Sequence, residues 1–254
     1  MEEISIVLFG LVWGSFLNVV IYRLPRGQSL MWPPSSCPQC RTRIKPYDNI
    51  PILSYILLRG RCRSCGLKIS LLYPLVEAAT PLCFLLLYSR FALSFHFFAS
   101  CLFVSALIAL CFIDLYHQTL PDEITLPGLA LALVYSAFRL DLSLRQALIG
   151  AIAGAGFLLA IYGLYWLLRK KEGLGMGDVT MMLLVGAYLG WLKAFLTLLL
   201  GSFAGALVGV FLLSFRKKDL QFSLPFGTFL APAAFVALIW GDRIISAYLS
   251  LYKR

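Results

Sequence analysis

Two aspartates stand where hydrophobic runs meet polar breaks, Asp114 in FIDLYHQTLPDEITLP (112–127) and Asp178 in GLGMGDVTMM (173–182). A carboxylate at the edge of hydrocarbon costs several kcal/mol by most estimates, so an ionisable group at that depth marks function by default. Two such groups on one side of a bilayer can share a proton, one holding it while the other acts as a base on water. Peptide hydrolysis needs that arrangement where no metal, serine or cysteine nucleophile is placed to serve. The chain has no HExxH, no GxSxG and no cysteine with a suitable histidine partner. Considered alone, Asp178 is equally an N-cap residue for a helix starting beside it. Gly175 and Gly177 around it let the backbone approach another chain closely. Asp114 ends an apolar run, where a helix C-terminal dipole opposes negative charge, which is a poor place for a merely structural carboxylate.

A second constellation is Cys37-Pro-Gln-Cys40 followed after 21 residues by Cys62-Arg-Ser-Cys65. Paired CxxC motifs at this separation match a four-thiolate zinc ribbon, in which the metal supplies folding energy to a segment too short to build a core. Two disulfides are the alternative, disfavoured in a reducing compartment. A closed four-sulfur site leaves no vacant position for substrate, so its role is structural. Arg41, Arg43, Lys45, Arg61, Arg63 and Lys68 surround the cysteines, either offsetting thiolate charge or forming a solvated face toward lipid headgroups.

The elements that must carry these groups are membrane helices. Of 254 residues 60% are hydrophobic and only 13% charged, with mean hydropathy +0.85, outside the range of soluble domains. Crossing the bilayer takes about 20 apolar residues per helix. Eight stretches qualify, near 4–22, 71–89, 93–113, 124–140, 146–168, 178–191, 194–215 and 226–248. The sixth is short and meets the seventh around Gly190 to Lys193, so a seven-span count is the alternative. The fold expected is all-α and polytopic, with a first helix over 1–23, a zinc-binding insertion over 24–70 and a membrane body over 71–254. The acidic start and the lack of a small-residue cleavage site predict that the first helix is retained.

Nine Lys and Arg fall in 23–70, with further clusters at 169–171 and 216–218. The positive-inside rule then makes these loops, Asp114 and Asp178 cytoplasmic and both termini external. The net charge of +10 is a topology signal that also suits anionic lipid headgroups, and nothing resembles a nucleic-acid surface. Glu77, inside the second span, needs a partner such as an arginine or Asn18, or a part in a second activity. Asp122 fits a helix cap, and His117 either tunes Asp114 or is a solvated loop histidine. His96, Cys83, Cys101 and Cys111 fit structural roles. A proton-coupled transporter would also use membrane carboxylates, but gives no reason for a zinc ribbon.

GSFLNVVIYRLPRG (14–27), the two CxxC pairs, NIPILSYILLRGRCRSCG (49–66), YPLVE (73–77), FIDLYHQTLPDEITLP (112–127) and GMGD (175–178) together resemble the bacterial type IV prepilin peptidases, with the motifs in family order. The resemblance implies a GxGD-type aspartic endopeptidase of the inner membrane that cleaves the basic leader of prepilins and type II secretion pseudopilins on the cytoplasmic side. It carries the catalytic aspartates over to Asp114 and Asp178, and the family's cysteines to Cys37, Cys40, Cys62 and Cys65. It further implies methylation of the new N-terminus with S-adenosylmethionine, although no glycine-rich nucleotide fingerprint marks a donor site.

Overall fold

The computed structural model describes residues 1–170, 175–215 and 225–252. Lys171 and the basic run Arg216, Lys217, Lys218 lie outside the described residues. The described chain is all-helical: α1 (Glu2–Arg23), α2 (Leu53–Leu57), α3 (Leu72–Phe91), α4 (Phe95–His117), α5 (Asp122–Ser136), α6 (Leu144–Arg169), α7 (Met176–Leu189), α8 (Trp191–Phe215) and α9 (Gly227–Tyr252), with short 3-10 turns at Leu24–Arg26 and Pro46–Asn49. All eight expected spans are helices. Six are long and apolar enough to cross a membrane. At 15 and 14 residues, α5 and α7 reach only about 21–23 Å at 1.5 Å per residue, short of the ~30 Å hydrocarbon core. Long apolar faces stay exposed, as at Leu8, Phe9 and Val12 of α1 and Leu199, Phe203 and Phe211 of α8. Water would not tolerate them and lipid does, so the chain is a multi-pass membrane protein.

Two boundaries bear on the position of the acidic residues. The third span continues past 113 to His117, which puts Asp114 inside the last turn of α4. The sixth and seventh spans separate cleanly at Gly190, whose φ of +79°, readily adopted by glycine alone, ends α7.

The chain forms two compact units, Met1–Ala109 and Leu110–Arg254. In the first, α1 packs along α3. A Cβ on Gly10 would lie 2.6 Å from Pro81 Cα, and one on Gly14 3.0 Å from Glu77 Cα, so this seam is backbone against backbone, as small residues permit between membrane helices. Trp13 Nε1 donates to Ser105 Oγ at 2.8 Å and ties α1 to α4. In the second unit α6 packs on α7 through Gly150 and Gly186, where a Cβ on either would meet the other's carbonyl oxygen at 2.2 and 2.1 Å. Ser143 caps α6 with Gln146 in a reciprocal box.

Candidate active site

Asp114 and Asp178, 64 positions apart in sequence, come together in the second unit. Both are buried, at 5% and 6% exposure, and their charges lie within interacting range. Asp114 occupies the C-terminal turn of α4, where its own helix dipole opposes it. The compensation comes from α9. Thr228 donates its backbone N–H to Asp114 Oδ2 at 2.8 Å, and its hydroxyl, with one hydrogen to give, lies 3.2 Å from the same oxygen and 3.3 Å from the Cys111 carbonyl. The Gly227 N–H faces both carboxylates. A helix N-terminus presents unsatisfied N–H groups and a positive dipole end to anions, and here the first turn of a 26-residue helix is aimed at two of them.

Asp178 is not the N-cap residue of its helix. α7 starts at Met176 with Gly175 as N-cap, so Asp178 is the third helical residue, and its carboxylate reaches back toward the Gly175 N–H. The other side of the carboxylate faces Gly227. The glycines of GMGD serve the chain's own packing. A Cβ on Gly177 would lie 2.7 Å from Leu120 Cβ, and one on Gly227 2.9 Å from Leu120 Cδ1 and 3.1 Å from Asp114 Oδ2. Leu120, in the α4–α5 connection, thus fills the space between the two acidic helix ends and the start of α9. Asp122 opens α5 behind Pro121 and accepts from Thr125 Oγ1 at 3.3 Å. His117 makes no hydrogen bond to Asp114. Cys111 donates weakly to the Thr228 carbonyl at 3.6 Å.

Gly227, Thr228 and Leu120 are the site residues that sequence reasoning missed. Their signal is slight: Gly-Thr at the head of an apolar span after Pro225, and a leucine one residue before Pro121.

The four cysteines Cys37, Cys40, Cys62 and Cys65 converge in the first unit with their sulfurs within 4.8 Å of one another. Cys37 and Cys65 Sγ are 3.7 Å apart, and Cys40 and Cys62 4.0 Å. Sulfurs at the corners of a zinc tetrahedron with bonds of about 2.3 Å are about 3.8 Å apart, so the donor set fits that metal, and no pair is bonded as a disulfide. Each pair sits on its own knuckle, closed by the bridges Ser36 to Arg43 and Arg61 to Lys68. Hydrogen bonds from the Thr42 hydroxyl and backbone lower the Cys40 thiol to about 6. The Cys65 and Ser64 backbones lower Cys62 as well, so one thiol of each pair is prepared as the thiolate that metal requires. Arg63 does not serve the sulfurs: it forms a forked pair with Asp48, its Nη2 2.6 Å from Oδ1. Glu77 meets no arginine but the Ile52 N–H at 2.7 Å, with the Ser15 and Asn18 side chains facing it.

A multi-pass helical membrane protein with two buried, converging carboxylates and a four-cysteine knuckle pair defines a class, and sequence comparison supplies the family. Residues 8–91 match the Bacterial Peptidase A24 N-terminal domain and residues 101–210 the Type IV leader peptidase family. The chain is 40% identical to a prepilin leader peptidase/N-methyltransferase of Pseudomonas putida over 96% of its own length and 92% of that protein's. It is 39% identical to one of Pseudomonas aeruginosa with the same coverage. A relative from Myxococcus xanthus is 41% identical over 83% of this chain and 63% of its own. No solved structure matches significantly. The chain belongs to the type IV leader peptidase family. Nothing in these matches supports a transporter.

Proposed function

We propose that this enzyme removes the leader peptide from type IV prepilins and type II secretion pseudopilins with Asp114 and Asp178 as its catalytic pair, and then N-methylates the new terminus. The observation that carries the assignment is the convergence of both carboxylates on the first turn of α9. One carboxylate takes a proton from water as it attacks the scissile carbonyl, and the other protonates the carbonyl oxygen. The roles exchange when the amine leaves. The Thr228 and Gly227 N–H groups hold the pair in place through the cycle.

The site faces the cytoplasm of the bacterial inner membrane, in keeping with the nine cationic residues of 23–70. Cys37, Cys40, Cys62 and Cys65 hold a structural zinc ion that orders the 24–70 domain, and 71–254 forms the peptidase body. S-adenosylmethionine supplies an electrophilic methyl group on a cationic sulfur, which only a deprotonated amine can accept. The test is leader removal from a purified prepilin in detergent: wild-type enzyme releases one product at the leader junction, and Asp114→Asn and Asp178→Asn each release it about two to four orders of magnitude more slowly. Full processing by either variant would remove it from the catalytic pair.

A further inference from the structure

One buried polar cluster is not used by the aspartate chemistry. Glu77 lies in the second turn of α3 at 8% exposure. Its Oε2 accepts the Ile52 N–H at 2.7 Å, and the Ser15 and Asn18 side chains face the carboxylate. Ile52 has φ +60°, ψ −49°, and Leu53 N–H closes on Pro51 C=O at 2.6 Å. This is a γ-turn of the rare, strained hand, centred on a β-branched residue for which positive φ is a true outlier. Strain of that kind persists where the surroundings over-determine it, and it clusters at functional sites. Its effect here is to point a backbone donor into a membrane helix.

Asn18 supplies the second half. It is 4% exposed, and its Nδ2 donates to the Tyr73 carbonyl at 3.0 Å and faces Glu77. With Nδ2 committed to the Tyr73 carbonyl, Oδ1 is left to find a donor. Oδ1 is buried with no partner, alone in this among the buried side-chain polar atoms of the described residues. Gly14 allows this crowding, because a Cβ there would lie 3.0 Å from Glu77 Cα and 3.1 Å from the Val76 carbonyl oxygen. A buried carbonyl without a donor is costly, and so is a buried carboxylate without a cation. No described cation pairs with Glu77. A carboxylate has about four acceptor positions, one of them taken by the Ile52 N–H, and the Asn18 oxygen has two. The open positions suit a single ammonium group with its three donors. Leu17 and Val76, next in sequence to Asn18 and Glu77, and Ile21, one helical turn on from Asn18, are all buried, which suits an apolar residue bearing that one charge.

We infer that Asn18 and Glu77 seat the free α-ammonium at the head of a cleaved, apolar substrate chain. The inference rests on the N-methyltransferase reading above and names residues that would carry it. The ammonium gives one proton to Glu77, and the freed nitrogen lone pair forms the N–C bond as the S–C bond of the sulfonium donor breaks. The products are a methylammonium, a neutral thioether and a protonated Glu77.

The test separates three readouts on the full-length enzyme: prepilin cleavage, methyl incorporation from labelled S-adenosylmethionine, and binding of a short apolar peptide with a free or an acetylated N-terminus. Glu77→Gln keeps an acceptor for Ile52. It should lower methyl incorporation by about 100-fold or more, the worth of a general base, while leader cleavage continues and certifies the fold. Asn18→Ala should remove a preference of about tenfold for the free amine, the worth of one charge-assisted hydrogen bond. Methyl incorporation by Glu77→Gln close to wild type would overturn the inference. So would an unchanged amine preference in Asn18→Ala. A wild type that cleaves but transfers no methyl group defeats the methyltransferase reading instead, and the peptide comparison then decides the ammonium seat by itself.

Discussion

Asp114 sits at the wrong end of its own helix for a negative charge and at the right end of another. Its carboxylate depends on Thr228, whose N–H bonds one oxygen and whose hydroxyl lies 3.2 Å from the same atom. Thr228→Val keeps the N–H and loses the hydroxyl donor, so cleavage should fall about tenfold, the worth of one hydrogen bond to a charged group. Thr228→Ser should restore it, and initial rates on a purified prepilin decide the comparison. At the cysteines the predicted order of reactivity is equally specific. Cys40 is lowered to about 6 by Thr42, so in zinc-free protein it is largely thiolate at pH 7, whereas an ordinary thiol is not. The sign follows: its contribution to the folded knuckle is complete above about 9 and is lost as pH falls toward about 6. Mass spectrometry after brief alkylation at pH 7 should find Cys40 and Cys62 modified first in the zinc-free enzyme, and none of the four in the zinc-bound enzyme. Modification unaffected by zinc would contradict the metal assignment. Asp114, Asp178 and the CxxC pairs were legible in the sequence because their chemistry follows from residue type and local spacing. Thr228, Gly227 and Leu120 were not, because they matter only through contacts made across 49 or more residues.

The helices themselves were nearly all legible, since a bilayer imposes a length and a composition that leave a direct mark. What escaped is how they seat against one another. The α6–α7 contact depends on Gly150 and Gly186 touching through backbone, and no hydropathy pattern records that. Gly186→Ala forces a Cβ to within 2.1 Å of the Gly150 carbonyl oxygen, an overpacking that costs about 1–3 kcal/mol or more. Because Asp178 opens α7, the same change should lower cleavage along with the thermal midpoint in detergent. Gly156→Ala, on α6 with open space around it, is the matched control and should leave both unchanged. The end of α4 was misplaced by four residues for a similar reason: polar Asp114 and His117 read as a break, but donors from α9 allow the helix to run on through Asp114.

At the scale of the whole molecule, the chain divides its chemistry between two compact units, each organised around its own buried polar group. The carboxylate pair belongs to the second, and the zinc knuckles with the Glu77–Asn18 cluster to the first. Sequence order hid that partition, because the boundary near residue 109 falls inside α4 rather than in a linker. The central claim is that Asp114 and Asp178 act together as one acid–base unit. It is tested most directly by single-turnover leader cleavage with Asp114→Asn, Asp178→Asn and the double variant, with methyl transfer to a pre-cleaved pilin as the measure of an intact fold. Each single change should remove about two to four orders of magnitude in rate, the double change should cost no more than either single one, and methyl transfer should persist in all three. Cleavage at the wild-type rate by either single variant, or losses that multiply in the double, would contradict the account.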